Sequence, residues 1–457
     1  MSLCALDIFL QAMSATAVRS PTQAATGPAP PSPPGGALSH SLAMGYGEQT
    51  LLERCQRRYG DVFMIRVWPF EKLVVVADPD EVKRIFRGDA TLLHAGEGNR
   101  ILEPLVGLQS VLLLDESDHM HQRKLMLPSF HGDRMRVYGD LMREITDAEI
   151  ERWPMDEPFA LHGPMQAITL RVIMRAVFGI EDAGRLGRLE RLLMRMLDLG
   201  QSTMMVPFLQ HDLGSRSPWG RFKAVRAAAD EMMFAEIRER RGLPDLEERS
   251  DVLSLLMQAR DEDGRPMSDR ALRDELVTLL VAGYETTATQ LAWTFERLLR
   301  HPRVLDRLTS EMAAGEDGYL DAVIKESQRS RPVLTYAMRR LTAPMEVGGY
   351  RVEAGATLGA SAWLLHHRPE IYPDPYSFRP ERFEERPAET YTWTPFGGGV
   401  RRCLGAAFAT YEMKTVLRTV LGRCRLEAPE QKPEAMRRRM ITFVPGKGAR
   451  AVLRSRG

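Results

Sequence analysis

Among the residues whose chemistry could do work, Cys403 is set apart by its surroundings, TPFGGGVRRCLGAAFATYEMKTVLR over residues 394–418. Three consecutive glycines, Gly397 to Gly399, permit positive φ and let the backbone approach something flat or bulky. Beyond Leu404-Gly405 the pattern becomes strongly helical, which sets the sulfur near the N-terminal end of a helix. There the helix dipole, free N–H groups and the neighbours Arg401 and Arg402 would favour a thiolate. A thiolate so placed can attack a substrate, sense redox state or ligate a metal. The bland alternative is an inert buried cysteine at a tight turn.

Phe396, Gly399, Arg401, Cys403 and Gly405 together spell F-x-x-G-x-R-x-C-x-G. Further upstream stand an Ala-Gly-Tyr-Glu-Thr-Thr run at 282–287, Glu326-x-x-Arg329, the PERF of 380–383 and His119-x-x-x-Arg123. These five elements, in their order along the chain from residue 119 to 405, resemble those of the cytochrome P450 family, and the resemblance extends over roughly residues 45 to 455.

The resemblance implies a heme b with Cys403 as its axial thiolate, which favours cleavage of the O–O bond of dioxygen. It places Phe396, Gly399 and Gly405 around the sulfur, and Ala282 and Gly283 where the long helix could open to admit dioxygen. His119, Arg123, Arg339 and Arg401 become the holders of the heme carboxylates, His119 and Arg123 sharing a helical face as an i,i+4 pair. Glu285 and Thr286 become the catalytic proton relay, although a mid-helix threonine commonly just bonds back to the i−4 carbonyl. Glu326, Arg329 and Arg382 are expected to form a buried structural triad.

The implied activity is insertion of one oxygen atom into an apolar organic substrate, by hydroxylation or epoxidation. A heme-thiolate peroxygenase or isomerase, whose members often lose the acid–threonine pair, is the alternative; a non-catalytic heme sensor or carrier comes third. No nucleotide-binding glycine fingerprint or iron–sulfur cysteine set occurs, so electrons must come from outside. Arg402, Lys414 and Arg418 suggest a basic face for an acidic ferredoxin served by an NAD(P)H-dependent reductase.

The elements that must position these groups are mainly helical, with small β-sheets. A 32-residue apolar helix is expected from Asp269 to Arg300, capped by Ser268 and running roughly 48 Å across a buried heme. Other helices are read over 165–178, 185–199, 222–240 and 251–260, and a hairpin over 61–67 and 72–77. Residues 1–38, with TGPAPPSPPGG, read as a flexible arm, and 39–457 as one catalytic domain. A methionine-rich stretch, 193–208, is expected to roof an apolar pocket, or else to be ordinary packing. Other pocket walls are expected at 95–113, at 279–287 and after Pro332.

Composition excludes several classes. The 457 residues carry 62 basic and 61 acidic side chains, a net charge of +1, which argues against a nucleic-acid binder. At 44% hydrophobic and 27% charged the chain is of globular type. Its four cysteines (4, 55, 403 and 424) are too few for a disulfide scaffold and fit a cytoplasmic setting. The N-terminus lacks a basic leader, and the most apolar stretch, 276–295, contains Glu285, so no transmembrane segment is expected.

Overall fold

The computed structural model describes residues 27–68, 70–130, 134–180, 182–204, 210–211 and 213–457. Most of the expected arm, 1–26, lies outside these. From its first described residues the chain is bonded to the body: Arg351 N–H donates to Pro28 O (3.0 Å) and Met64 N–H to Pro31 O (2.8 Å). The first helix already begins at residue 37. Attachment thus starts about ten residues upstream of the boundary expected at Ser39.

The helices used below are α1 (Ala37–Tyr59), α2 (Pro79–Arg87), α3 (Glu116–Met126), α4 (His162–Ile173), α5 (Ala183–Met204), α6 (Pro218–Arg241), α7 (Asp269–Leu298), α8 (Gly318–Ser330) and α9 (Ala406–Arg423). The strands are β1 (Val62–Ile65), β2 (Leu73–Val76), β3 (Leu93–His94), β4 (Tyr336–Leu341), β5 (Thr357–Ser361), β6 (Met436–Arg439) and β7 (Thr442–Pro445). The expected hairpin is the antiparallel pair β1–β2, with Val62 opposite Val76. It opens a five-stranded sheet of order β1-β2-β5-β4-β3, in which β2 and β5 run parallel.

α7 is the axis of the fold. The Ser268 hydroxyl caps it by accepting from Ala271 N–H at 3.0 Å, as its sequence predicts. A helix apolar on all sides belongs in a core, and from Ala271 to Arg300 every residue is buried except Leu279, Val281, Ala282, Gly283, Glu285 and Thr286. α4 packs along it closely enough that a Cβ on Gly283 would come within 2.7 Å of Ile173 Cδ1. The helix is continuous across this stretch, so the expected local opening at Gly283 is absent. The glycine instead serves close helix–helix approach.

Candidate active site

The cysteine loop closes onto α2. Gly397 and Gly399 adopt φ of +66° and +64°. A Cβ on Gly399 would fall 1.8 Å from the Phe86 carbonyl oxygen, and one on Gly398 2.7 Å from the Phe86 ring. The turn is held by Cys403 N–H donating to Phe396 O (2.9 Å) and Thr394 N–H donating to His366 Nε2 (2.8 Å). The Phe396 ring meets Trp393 edge-on. Gly405 is the N-cap of α9, and its N–H points at the Cys403 sulfur.

The expectation that this loop alone makes a thiolate does not hold. Burial pushes the Cys403 pKa up, outweighing the Gly405 N–H and the charges of Arg123 and Arg402. Arg401 turns elsewhere, donating to Val111 O (3.2 Å), Leu114 O and the Asp115 carboxylate. Cys403 keeps accessible surface, yet desolvation is the largest influence on its sulfur. Only a bound cation would hold it ionised there.

His119 and Arg123 on α3, Arg339 on β4 and Arg401 converge. Burial lowers the His119 pKa to about 3, helped by the charges of Arg401, Arg123 and Arg339. Burial brings Arg339 and Arg401 down to about 10, with repulsion from Arg401 adding for Arg339 and from Arg123 for Arg401, and Asp115 opposing both. Arg339 donates to Met338 O and lies over Phe86; the Arg123 side chain has no hydrogen-bond partner among the described residues. Phe86, His119, Arg339, Val400 and Arg401 line a common cleft. Three arginines against the carboxylates of Asp115 and Glu116, the latter also bonded to His94, leave a positive balance suited to an anion.

On the accessible stretch of α7, the Thr286 hydroxyl donates to Ala282 O at 2.6 Å, the back-bond of an ordinary mid-helix threonine. Ala282 is the most exposed residue there. Glu285 points the other way: its Oε2 accepts from Gln166 Nε2 (2.6 Å), while Oε1 lies 3.6 Å from Arg439 and 3.9 Å from His162. Burial raises its pKa; Arg439, Gln166 and the Tyr284 hydroxyl oppose that. Tyr284 is buried, with its hydroxyl close enough to the Glu285 carboxylate for the negative charge to raise its pKa further. Sequence reasoning missed Gln166, His162 and Arg439. A polar i,i+4 pair in the apolar α4 was a signal for the first two, whereas the RRRM run gave none for the third.

Behind the loop, the expected triad forms. Glu326 accepts from Arg329 Nε and Nη2 (2.7 and 2.9 Å) and from Arg382 Nε (3.1 Å), all three residues being buried. The expected basic face is weaker than its sequence suggests, because Lys414 pairs with Asp321 at 2.7 Å and Arg418 with Asp317. Arg402 remains exposed. In the methionine-rich stretch Leu193 and Met196 are fully buried as packing, and 205–209 lie outside the described residues.

An iron porphyrin would satisfy both demands of this site, its carboxylates suited to the cations and its metal to the sulfur. The residues present fit that cofactor, and fold and site together define a heme-thiolate protein. Comparison with known proteins narrows the class: the model of the family Cytochrome P450 matches residues 30–450, and the chain belongs to that family. It is 42% identical over 433 residues to cytochrome P450 135B1 of Mycobacterium tuberculosis, covering 93% of this chain and 91% of that protein. It is 36% identical over 457 residues to cytochrome P450 137 of the same organism, covering 99% and 96%. Among solved structures, the retinoic acid-bound cyanobacterial CYP120A1 superposes with a TM-score of 0.82 at 22% identity, covering 94% of this chain and all of that one. The heme domain of cytochrome P450DA gives 0.81 at 22% identity, covering 94% and 98%. The protein is an oxidoreductase of the heme-thiolate monooxygenase kind. Among the described residues no helix is long and apolar enough to cross a membrane.

Proposed function

We propose that the protein hydroxylates or epoxidises an apolar organic substrate in the cytoplasm, with Cys403 as the axial ligand of heme b. The observation that carries this reading is the accessible stretch in the middle of α7, which holds Ala282, Gly283, Glu285 and Thr286 together. When bound, the heme supplies dioxygen activation and oxygen-atom transfer. Arg123, Arg339, Arg401 and His119 would hold its carboxylates, and Arg401 already ties down the loop from Val111 to Asp115. Phe396, Gly399 and Gly405 wall off the sulfur from water.

Thr286 and Glu285 do the proton work. Donation to Ala282 O fixes the Thr286 hydroxyl and leaves its lone pairs free to accept a proton-bearing donor. Glu285, held on the far side of the helix by Gln166 and with its pKa raised by burial, is the carboxyl group that takes protons from solvent and passes them on toward that hydroxyl. Electrons come from a ferredoxin-type donor, reduced by an NAD(P)H-dependent reductase and docking near Arg402.

Two variants test this. Cys403→His should lose the thiolate-type spectrum of the reduced carbonyl complex. Thr286→Ala should bind substrate normally while product formation falls roughly 100-fold and electrons are diverted to peroxide. A surviving thiolate spectrum would overturn the ligand assignment, and undiminished coupling the relay.

A further inference from the structure

Glu285 is held from three sides, and one of them is not helical. Strands β6 and β7 form a tight hairpin in which Arg439 pairs opposite Thr442, with Met440 at the tip adopting φ of +55°. The base is fixed to the core: Trp293 Nε1–H of α7 donates to Phe443 O at 2.8 Å, and Phe443 N–H donates to Val333 O at 2.9 Å. The tip is thereby delivered to the flank of α7, two turns from Trp293, with Met440 packed on the main core.

Here Glu285 Oε1 is buried and accepts no hydrogen bond, while the Arg439 guanidinium stands 3.6 Å away. The Arg439 side chain is 34% exposed and that of Glu285 13%, so the pair spans from the surface to the interior. The remaining neighbours carry no compensating charge. His162 on α4 has its Nε2 3.1 Å from Thr289 Oγ1 and is held neutral, its pKa lowered to about 4. Gln166 is an amide, and Tyr284 stays protonated, with Asp198 of α5 acting on it from farther off.

We propose that Arg439 is a positioning residue for the reaction, orienting Glu285 and setting its charge, and that protons enter from solvent along the β6–β7 hairpin to Glu285 Oε1. This rests on the relay assigned to Glu285 above and adds the element that governs it. Burial among His162, Gln166 and Tyr284 favours the protonated form of the Glu285 carboxyl group. The guanidinium makes both protonation states accessible, so Glu285 can give up its proton and take another from water beside Arg439.

The test uses the heme-loaded protein and an observable independent of turnover, the infrared C=O stretch of protonated Glu285, assigned by its loss in Glu285→Gln. Titrated in wild type, Arg439→Gln and Arg439→Lys, its midpoint should rise by at least about one pH unit in Arg439→Gln and return most of the way in Arg439→Lys. The pH profile of coupled product formation should shift in the same direction. An unmoved midpoint in Arg439→Gln, or an equal shift in Arg439→Lys, would overturn the proposal. Full coupling in Glu285→Gln would instead refute the relay itself, whatever Arg439 does to the midpoint.

Discussion

Replacing Glu326 by glutamine tests how the layer behind the cysteine loop is held. Glu326 is fully buried, as is Arg329, and Arg382 is only 6% exposed. Beyond the three guanidinium bonds, its Oε1 also accepts from Arg379 N–H at 2.9 Å. Glutamine keeps one acceptor oxygen but turns an NH2 group toward two guanidinium groups and leaves their charges without an anion. The expected loss is roughly 3–5 kcal/mol, a large share of a total stability of about 5–15 kcal/mol. An apolar replacement of the whole triad should not rescue it. Arg329 also donates to His366 O (2.7 Å), and Arg382 to Pro373 O (3.2 Å) and Ser377 O (3.3 Å), so buried carbonyls would be stranded at about 1–3 kcal/mol each. Urea unfolding of the heme-bound protein, followed together by far-ultraviolet dichroism and Soret absorbance, should show both transitions moving down in concert. A loss below about 1 kcal/mol, the scale of an exposed pair, would refute the reasoning, as would heme release well before helix loss.

Other positions give separate tests. Gly399→Ala meets both a left-handed backbone and the Phe86 carbonyl, and should cost about 2–4 kcal/mol. Gly397→Ala, with φ of +66° but nothing within 4 Å of a new Cβ, should cost only about 1–2 kcal/mol; equal losses in urea would contradict this. Burial lowers the His366 pKa from 6.5 to about 3, so its neutral ring adds stability above pH 6.5 that is lost as pH falls toward 3. His366→Gln should therefore flatten the fall of melting temperature with acid, and an unchanged slope would show that the ring is not strained by protonation. Turnover with an acidic ferredoxin should fall as salt rises, and Arg402→Ala should weaken that dependence more than Lys414→Ala or Arg418→Ala, whose positions are already paired. Equal effects from all three variants would place the docking charge elsewhere.

The sequence by itself determined the helical class, the cap and course of α7, the β1–β2 hairpin and the residues of the Glu326 triad. These depend on local periodicity, capping chemistry and motif spacing, which are properties of neighbouring residues. The cysteine loop was legible for the same reason, since three glycines in a row have few other uses. Only the tertiary structure decided charge and direction. Cys403 sits among anion-stabilising groups in sequence, yet burial reverses their effect and makes it a thiol until a cation binds. Arg401 adjoins it in sequence but serves Asp115, and Lys414 and Arg418 spend their charges on Asp321 and Asp317. Gly283 read as a hinge and proved to be a packing contact with Ile173. Glu285 acquired His162, Gln166 and Arg439 from segments more than a hundred residues away. Desolvation and long-range Coulomb forces depend on what the fold brings near, and no spacing along the chain records that.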